Sequence, residues 1–568
     1  MRMSQLFGER IRETPAEAVR VSHQYLIRGG YIRVSASGTP TLLPPGKRLV
    51  ANVMAHLSGR LSQLGAQEVG LYPDTGVRED QNQTLGASEP PGSQLPRAAF
   101  SRAMEAGGRV LEQLVCSELT TYARYPRQLF GFRHDALPPT RARGGLMGCS
   151  AGTLLQGLRV DTDAGANNAA MRELLETLRL ALEALGLPEV RVSSGVSEDP
   201  GATDAWTLTF PHAMGDEQLA VCPACGYHAM LPVAGQRHQL FPEREAPIAR
   251  VHTPGITDIA TLSAFLGKPE TALMKATIFA ASGREHPVIV FVRGDLQVSQ
   301  AKLSRLLSAD VAPWPAAWDS GLALGSVGAL DLPETVTVLF DESLRGLKHV
   351  ACGANEPDWH LTGVSLPRDF PQAVYHDLSL ARAGSLCPSC GAALDVQPVL
   401  VLGKGFRYGD AMLLRSGMAY TDMAGDRRLP GACGCWLGIE RVAACVLEAH
   451  HDAYGPVWPV AVAPWQVQLC LLNADQAEVR EAAEALYQEL GAQCEVLYDD
   501  RGLTAGSQFA EADLLGAPVR VIVSRRNLEK GEAEVAARDK SFRQGVPLAE
   551  VPRVVRTLDV KPGSSPGL

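Results

Sequence analysis

Nowhere in the 568 residues is there a run near the roughly 20 consecutive apolar residues that a membrane-spanning helix needs. The opening stretch MRMSQLFGERIRETPAEAV lacks an apolar core between its charges, so no secretory signal is expected and the expected location is cytoplasmic. There is no excess of positive charge: 53 Lys and Arg against 62 Asp and Glu leave a net charge of −9. Any nucleic-acid binding must therefore come from local patches rather than from the global field. Twelve cysteines are too few for a disulfide scaffold. There is no internal repeat and no low-complexity region. What remains, 46% hydrophobic and 20% charged residues, is the composition of an ordinary globular chain of about three to five domains.

Four of the cysteines are organised, as Cys222-Pro-Ala-Cys225-Gly and Cys387-Pro-Ser-Cys390-Gly. Four thiolates on two such turns make a soft tetrahedral site that suits a structural zinc, with no position left open for substrate. Two unrelated or redox-active pairs are the alternative. The shared proline and trailing glycine favour the metal, and the segment between the knuckles then reads as an insertion clamped at its ends.

Hydrophobic periodicity predicts helices through Leu49, Val53, Leu57, Leu61 and Leu64, over 168–185, and over 477–490. The N-terminus also begins with a helical pattern. Short strands are expected at 68–73, 288–292, 336–340, 467–472, 494–498 and 519–523. Residues 76–100 read as a loop, and 561–568 as a disordered tail.

Several separated stretches resemble bacterial-type prolyl-tRNA synthetase. They include Ser22-His23, Arg28-x-Gly30-x-Ile32-Arg33, Leu43-Pro44-x-Gly46, the junction WPVAVAP at 458–464, Asp499-Asp500-Arg501, and Leu515-Gly516-x-Pro518. The resemblance implies an α/β multidomain chain. A class II synthetase antiparallel-sheet core (1–221 and 391–460) would be split by an inserted α/β editing domain (222–390), and followed by a C-terminal α/β anticodon-binding domain (461–568). It implies proline tRNA as partner, with Asp499, Arg501, Arg525, Arg526 and Lys530 as contacts. It also implies a homodimer through residues 47–75, with Pro73 as the interface proline. No DNA and no membrane partner is expected.

In the aminoacylation core the similarity to the family's chemistry fails. The family's T-x-E-E loop falls on Ala106-Gly107-Gly108-Arg109. Its F-R-x-E opening falls on Ala136-Leu137-Pro138-Pro139, or after a local shift on Phe132-Arg133-His134-Asp135. Arg141 and Arg143 match the middle arginines, but Gly148, Ser150 and Ala151 stand where the family has Arg, Arg and Glu. An acidic–aromatic pair is Ala205-Trp206. A later Glu and His become Gln397 and Leu400, or Asp395 and Pro398 on a different anchor. The third motif keeps Gly438 and Arg441, yet a glycine that admits substrate is Trp436. Arg141, Arg143 and Arg441 are thus a residual ATP site. ATP and Mg²⁺ are expected only if ligase activity survives.

The insertion keeps its polar residues. Leu273-Met274-Lys275-Ala276 is similar to the family's lysine-bearing helix, Arg293-Gly294-Asp295 to its R-G-D turn, and Gly325-Ser326-Val327-Gly328 to its glycine loop. Lys302, Asp341, Gly353-Ala354-Asn355 and His360 follow in family order. The implied activity is hydrolysis of mischarged alanyl-tRNA(Pro). Lys275 would hold the tRNA end, and backbone N–H groups of Gly325–Gly328 the carbonyl oxygen. Asp341 and His360 would shape the pocket and order the water or the amino group. An active proline–tRNA ligase and a non-catalytic tRNA-binding paralogue remain the alternatives.

Overall fold

The computed structural model describes residues 1–16, 18–35, 39–72, 110–136, 145–148, 151–163, 165–197, 202–239, 244–315 and 322–559. Expectations at Pro73, 76–100, 106–109, 137–139, Arg141, Arg143, Ser150 and 561–568 lie outside these residues. The chain divides into two compact units, one of residues 1–82, 94–191 and 416–568, the other of 83–93 and 192–415.

In the first unit, Pro44 and Pro45 open the Pro44–Gln63 helix, where a missing N–H leaves no hydrogen bond unmade. Leu49, Val53, Leu57 and Leu61 form its buried face. The strand expected at 68–73 shrinks to Gln67–Glu68, parallel to Arg127–Ala136. The latter pairs antiparallel with Ala151–Asp161, which pairs antiparallel with Gly431–Gly438. The helix expected over 168–185 runs Ala166–Ala184 and packs on the Pro44–Gln63 helix. The N-terminal helical pattern resolves into a short turn at Met3–Gln5 and the helix Val21–Arg28.

The C-terminal part of this unit is a five-stranded sheet, in the order Val496–Asp499, Val467–Leu471, Val519–Val523, Glu532–Ala537, Arg543–Pro547. The first three strands are parallel and the last two form an antiparallel ribbon. Alternate residues Val467, Leu469 and Leu471 join Val479, Leu486 and Leu490 of the Ala477–Gly491 helix in one core.

The second unit holds the strand Asp395–Tyr408, antiparallel to Ala202–Pro211 and to Glu217–Val221. Within the insertion, a five-stranded sheet runs Val311–Pro313, Met274–Ala281, Val288–Arg293, Thr337–Asp341, Tyr375–His376. A three-stranded sheet runs Ala249–His252, Trp359–Val364, Val350–Gly353. Leu273 bridges to Ala351 and joins the two sheets.

One expectation is corrected here. Lys275 is not on a helix: it lies on the Met274–Ala281 strand, opposite Val292. The following Thr277, Ile278 and Phe279 are strand formers. The wholly buried Val288–Arg293 strand, apolar on both faces, takes this segment as its antiparallel neighbour.

Asp452, just beyond the Ile439–Ala449 helix, receives two hydrogen bonds from the buried guanidinium of Arg538, both 2.8 Å. The Arg538 bonds hold the Asp452 carboxyl well below its usual 3.8. A depressed carboxyl contributes stability that is present above its unfolded value and lost as pH falls through the folded one. Asp452→Ala is therefore expected to cost about 2 kcal/mol at neutral pH, moderated by the partial exposure of Asp452. In thermal melts the gap from the unmodified protein should close only well below pH 3.8. A gap independent of pH would refute the assignment.

Candidate functional site

The two knuckles are built alike. Cys222 N–H donates to Tyr227 O and Cys387 N–H to Ala392 O, each at 2.7 Å. Gly226 N–H returns to Cys222 O and Gly391 N–H to Cys387 O, each at 3.0 Å. The trailing glycines have φ of +75° and +80°, which explains why glycine recurs at that offset. The four sulfurs lie within 4.8 Å of one another, with Cys222–Cys390 at 3.5 Å and Cys225–Cys387 at 3.6 Å. A tetrahedron with metal–sulfur bonds of about 2.3 Å has edges near 3.8 Å, so the cluster fits a tetrahedral metal ion. Arg237 donates to Pro388 O and Ser389 O and fixes the second knuckle from outside.

In the insertion, His360 is buried on the central strand of the three-stranded sheet, between Val251 and Gly353. Its Nδ1 meets Thr253 Oγ1 at 2.6 Å, which leaves Nε2 for a ligand. Burial pushes the imidazole below its usual 6.5, so the ring is neutral at pH 7. Beside it lies the glycine loop. Gly325 has φ +89°, and a side chain there would also meet Thr257 at 2.8 Å. A Cβ on Gly328 would sit 1.9 Å from Gly353 O, so two backbones touch where no side chain fits.

Not all four loop N–H groups are open. Gly328 N–H donates to Asn355 Oδ1 at 2.8 Å and Ser326 N–H to Ala323 O at 2.9 Å. The oxyanion role expected for Gly328 is thus not met in this structure. Among the described residues, the N–H groups of Gly325 and Val327 have no acceptor.

Lys275 is half-buried. Burial lowers its ammonium from the usual 10.5, and the nearby Asp295 and Glu270 oppose that shift. The R-G-D turn supports this strand end rather than a ligand. Arg293 grips Asp295 through two bonds of 2.6 and 3.1 Å, Arg382 adds another at 2.9 Å, and Gly294 N–H donates to Leu273 O. Lys302 is likewise structural, bonded to Asp377 and Ser379 O at 2.7 Å each.

Asp341 is corrected. It is fully buried, and its carboxylate accepts from the N–H groups of Ser343 (2.9 Å), Leu378 (2.8 Å) and Ser379 (2.7 Å). With both oxygens so engaged it ties the Thr337–Asp341 strand to the segment leading back to the second knuckle, and its full burial closes it to solvent. Thr253, Asn355 and Arg382 are the site residues that sequence reasoning gave no role. Asn355 stood within the Gly353-Ala354-Asn355 match, whereas no sequence signal marked the other two.

In the core, Trp436 is 5% exposed, in register with Gln156, and Cys435 lies 2.8 Å from where a Cβ of Gly157 would be. Glu440 beside Arg441 accepts from Thr153 N–H and Oγ1 at 2.6 and 2.9 Å, and burial raises its carboxyl. Arg441 is half-buried.

In the C-terminal domain, Asp499 is fully buried and grips Arg501 through two bonds of 2.8 and 2.9 Å, while Glu511 takes a third at 2.9 Å. Asp499 is therefore the partner of Arg501 and is closed to tRNA, which corrects its expected contact role. Arg501 lines a cavity of about 490 Å³ with Arg2, Arg480, Tyr498 and Asp500. Arg525, Arg526 and Lys530 are exposed on and just after the short Arg525–Leu528 helix, and Arg525 pairs with Glu529 at 3.0 Å.

Residues 253–369 match the family described as aminoacyl-tRNA editing domain, and residues 461–558 that described as anticodon binding domain. The chain is 30% identical to a proline–tRNA ligase of Aquifex aeolicus over 554 residues, 95% of each chain. It is 32% identical to that of Dehalococcoides mccartyi over 568 residues, 97% of this chain and 98% of the relative. A Moorella thermoacetica proline–tRNA ligase is 31% identical over 575 residues, 98% of each.

Two outcomes are expected. Asp341→Ala should leave three buried N–H groups without an acceptor and destabilise the protein by about 3 kcal/mol or more, visible as a lower melting temperature. An unchanged melting temperature would contradict the clamp. Elemental analysis should find about one zinc per chain, lost on Cys225→Ser. A metal-free, fully folded preparation would exclude the site.

Proposed function

The chain belongs to the bacterial-type prolyl-tRNA synthetase family, and from that membership we propose that it acts on proline tRNA as an editing hydrolase, removing alanine. Proline activation is lost in this reading. The observation that carries it is a contrast. His360 on Thr253 and the Gly325–Gly328 turn both pack against Gly353 in the insertion, and Lys275 lies on the adjoining sheet. In the core, buried Trp436 stands where the resemblance expects a glycine.

The ester of an aminoacyl-tRNA is already activated, so hydrolysis needs positioning and charge stabilisation rather than a nucleophilic side chain. Water oxygen bonds to the ester carbonyl carbon, and the bond to the terminal ribose oxygen breaks. That oxygen takes a proton, leaving free alanine and uncharged tRNA. Lys275 holds the phosphate or ribose of the 3′ end. The N–H groups of Gly325 and Val327 face the developing oxyanion. Neutral His360 presents Nε2 to the water or to the amino group. The packed Gly328 and Gly353 backbones keep the pocket small, and proline is rejected by size. Zinc on the four cysteines is a structural staple that closes the insertion. A homodimer through 47–75, tRNA contacts from Arg501, Arg525, Arg526 and Lys530, and a cytoplasmic location complete the reading.

The second reading, an active proline–tRNA ligase using ATP and Mg²⁺, is favoured by the names of relatives that match nearly the whole chain. Proline-dependent ATP–pyrophosphate exchange separates the two. The expected result is no exchange together with measurable Ala-tRNA(Pro) hydrolysis, lowered at least ~10-fold by Lys275→Ala or His360→Ala and unchanged by Arg441→Ala. The hydrolysis rate should stay level as pH falls to 6.5 and decline only at lower pH, where His360 protonates. Proline-dependent exchange would establish the ligase reading. Hydrolysis indifferent to Lys275 would remove the editing reading.

A further inference from the structure

Behind His360 a single hydroxyl sets the direction of a hydrogen bond. Thr253 is fully buried and directly follows the Ala249–His252 strand. Its N–H donates to Asp358 O at 2.7 Å. Its Oγ1 stands 3.2 Å from that same oxygen and 2.6 Å from His360 Nδ1. Asp358 is fixed in its own turn. It has φ +64°, a left-handed conformation that Asp tolerates better than most residues, and its Oδ1 accepts from Gly255 N–H at 2.7 Å.

A threonine hydroxyl has one hydrogen to give and two lone pairs that accept. The Asp358 carbonyl can only accept, so at that contact the hydroxyl is the donor. Nδ1 then has to carry a hydrogen and donate it to Oγ1. In the reverse arrangement the hydroxyl donates to Nδ1, and two oxygens face each other at 3.2 Å with no hydrogen between them. Thr253 and His360 are 0% and 4% exposed, so water does not repair that loss. One buried hydrogen bond more favours the first arrangement roughly 5-fold. A neutral imidazole has a single N–H, and with that hydrogen on Nδ1 the Nε2 atom is a bare lone pair.

We infer that Thr253 is a positioning residue that holds His360 with its hydrogen on Nδ1, which makes Nε2 a hydrogen-bond acceptor. The inference rests on the editing reading and says which partners the histidine takes there. Nε2 accepts from the attacking water or from the protonated amino group of the substrate, both of which are donors. It does not donate to the ester carbonyl or to the ribose oxygen, so stabilising the oxyanion falls to backbone N–H groups.

Nitrogen NMR of the full chain, grown with isotope-labelled histidine, reads the ring directly. The His360 signals, assigned by their loss in His360→Gln, should show a protonated Nδ1 and a bare Nε2 above pH 6.5. Thr253→Ser should keep that pattern and the hydrolysis rate. Thr253→Val should move the hydrogen to Nε2 and lower kcat for Ala-tRNA(Pro) hydrolysis about 10-fold or more, with KM nearly unchanged. A ring protonated on Nε2 in the unmodified protein would overturn the inference, as would a Thr253→Val ring still protonated on Nδ1. So would equal losses of rate and melting temperature in the Ser and Val variants, which mark Thr253 as a brace of the turn. Absence of hydrolysis in the unmodified protein would instead strike the editing reading, because the NMR arm needs no catalysis.

Discussion

The insertion depends on one closure. Val221 is paired with Asp395 across an antiparallel ladder. Beyond that rung, Cys222 and Cys225 on one side meet Cys387 and Cys390 on the other. Joining the ends of so long a segment carries a loop-closure cost that grows slowly with length, so a staple at the base supports a whole domain. Arg237 on the second knuckle and Asp341 on the returning segment continue the closure inward. Lys275 and His360 stand on sheets held from this base.

The surroundings of His360 are defined by absence as much as by side chains. Gly328 and Gly353 bring two backbones into contact, and Asn355 spends its amide on Gly328 and Leu330. These contacts fix the glycine loop against the strand that neighbours His360. They also use up donors that a sequence reader would assign to substrate.

Much of this was legible in the sequence, for physical reasons that differ from residue to residue. The matching knuckles announced themselves because each is a local turn whose positive-φ glycine has a fixed offset. Val519–Val523 and the apolar face of the Pro44–Gln63 helix follow from periodicity alone. Lys275 misled because an Ala- and Leu-containing stretch suits a helix, and only the distant Val288–Arg293 strand decides otherwise. Asp341 and Asp499 misled in a second way. A carboxylate in a polar sequence context looks available, but these two are fully buried and engaged by Leu378, Ser379 and Arg501. The first two partners are over thirty residues away in the chain. The Thr253 bond to His360 spans 107 residues and gives no local signal.

The Val221–Asp395 pairing has a consequence for how such a chain can change over time. The two residues at the mouth of the insertion already stand as neighbours in an antiparallel ladder, the geometry that a two-residue hairpin turn closes. The insertion is therefore joined to the rest of the chain at a point where it could be exchanged, lost or acquired as a block without re-registering the strands outside it. The seam transmits a fold and not an active site, so change on one side of it need not follow change on the other.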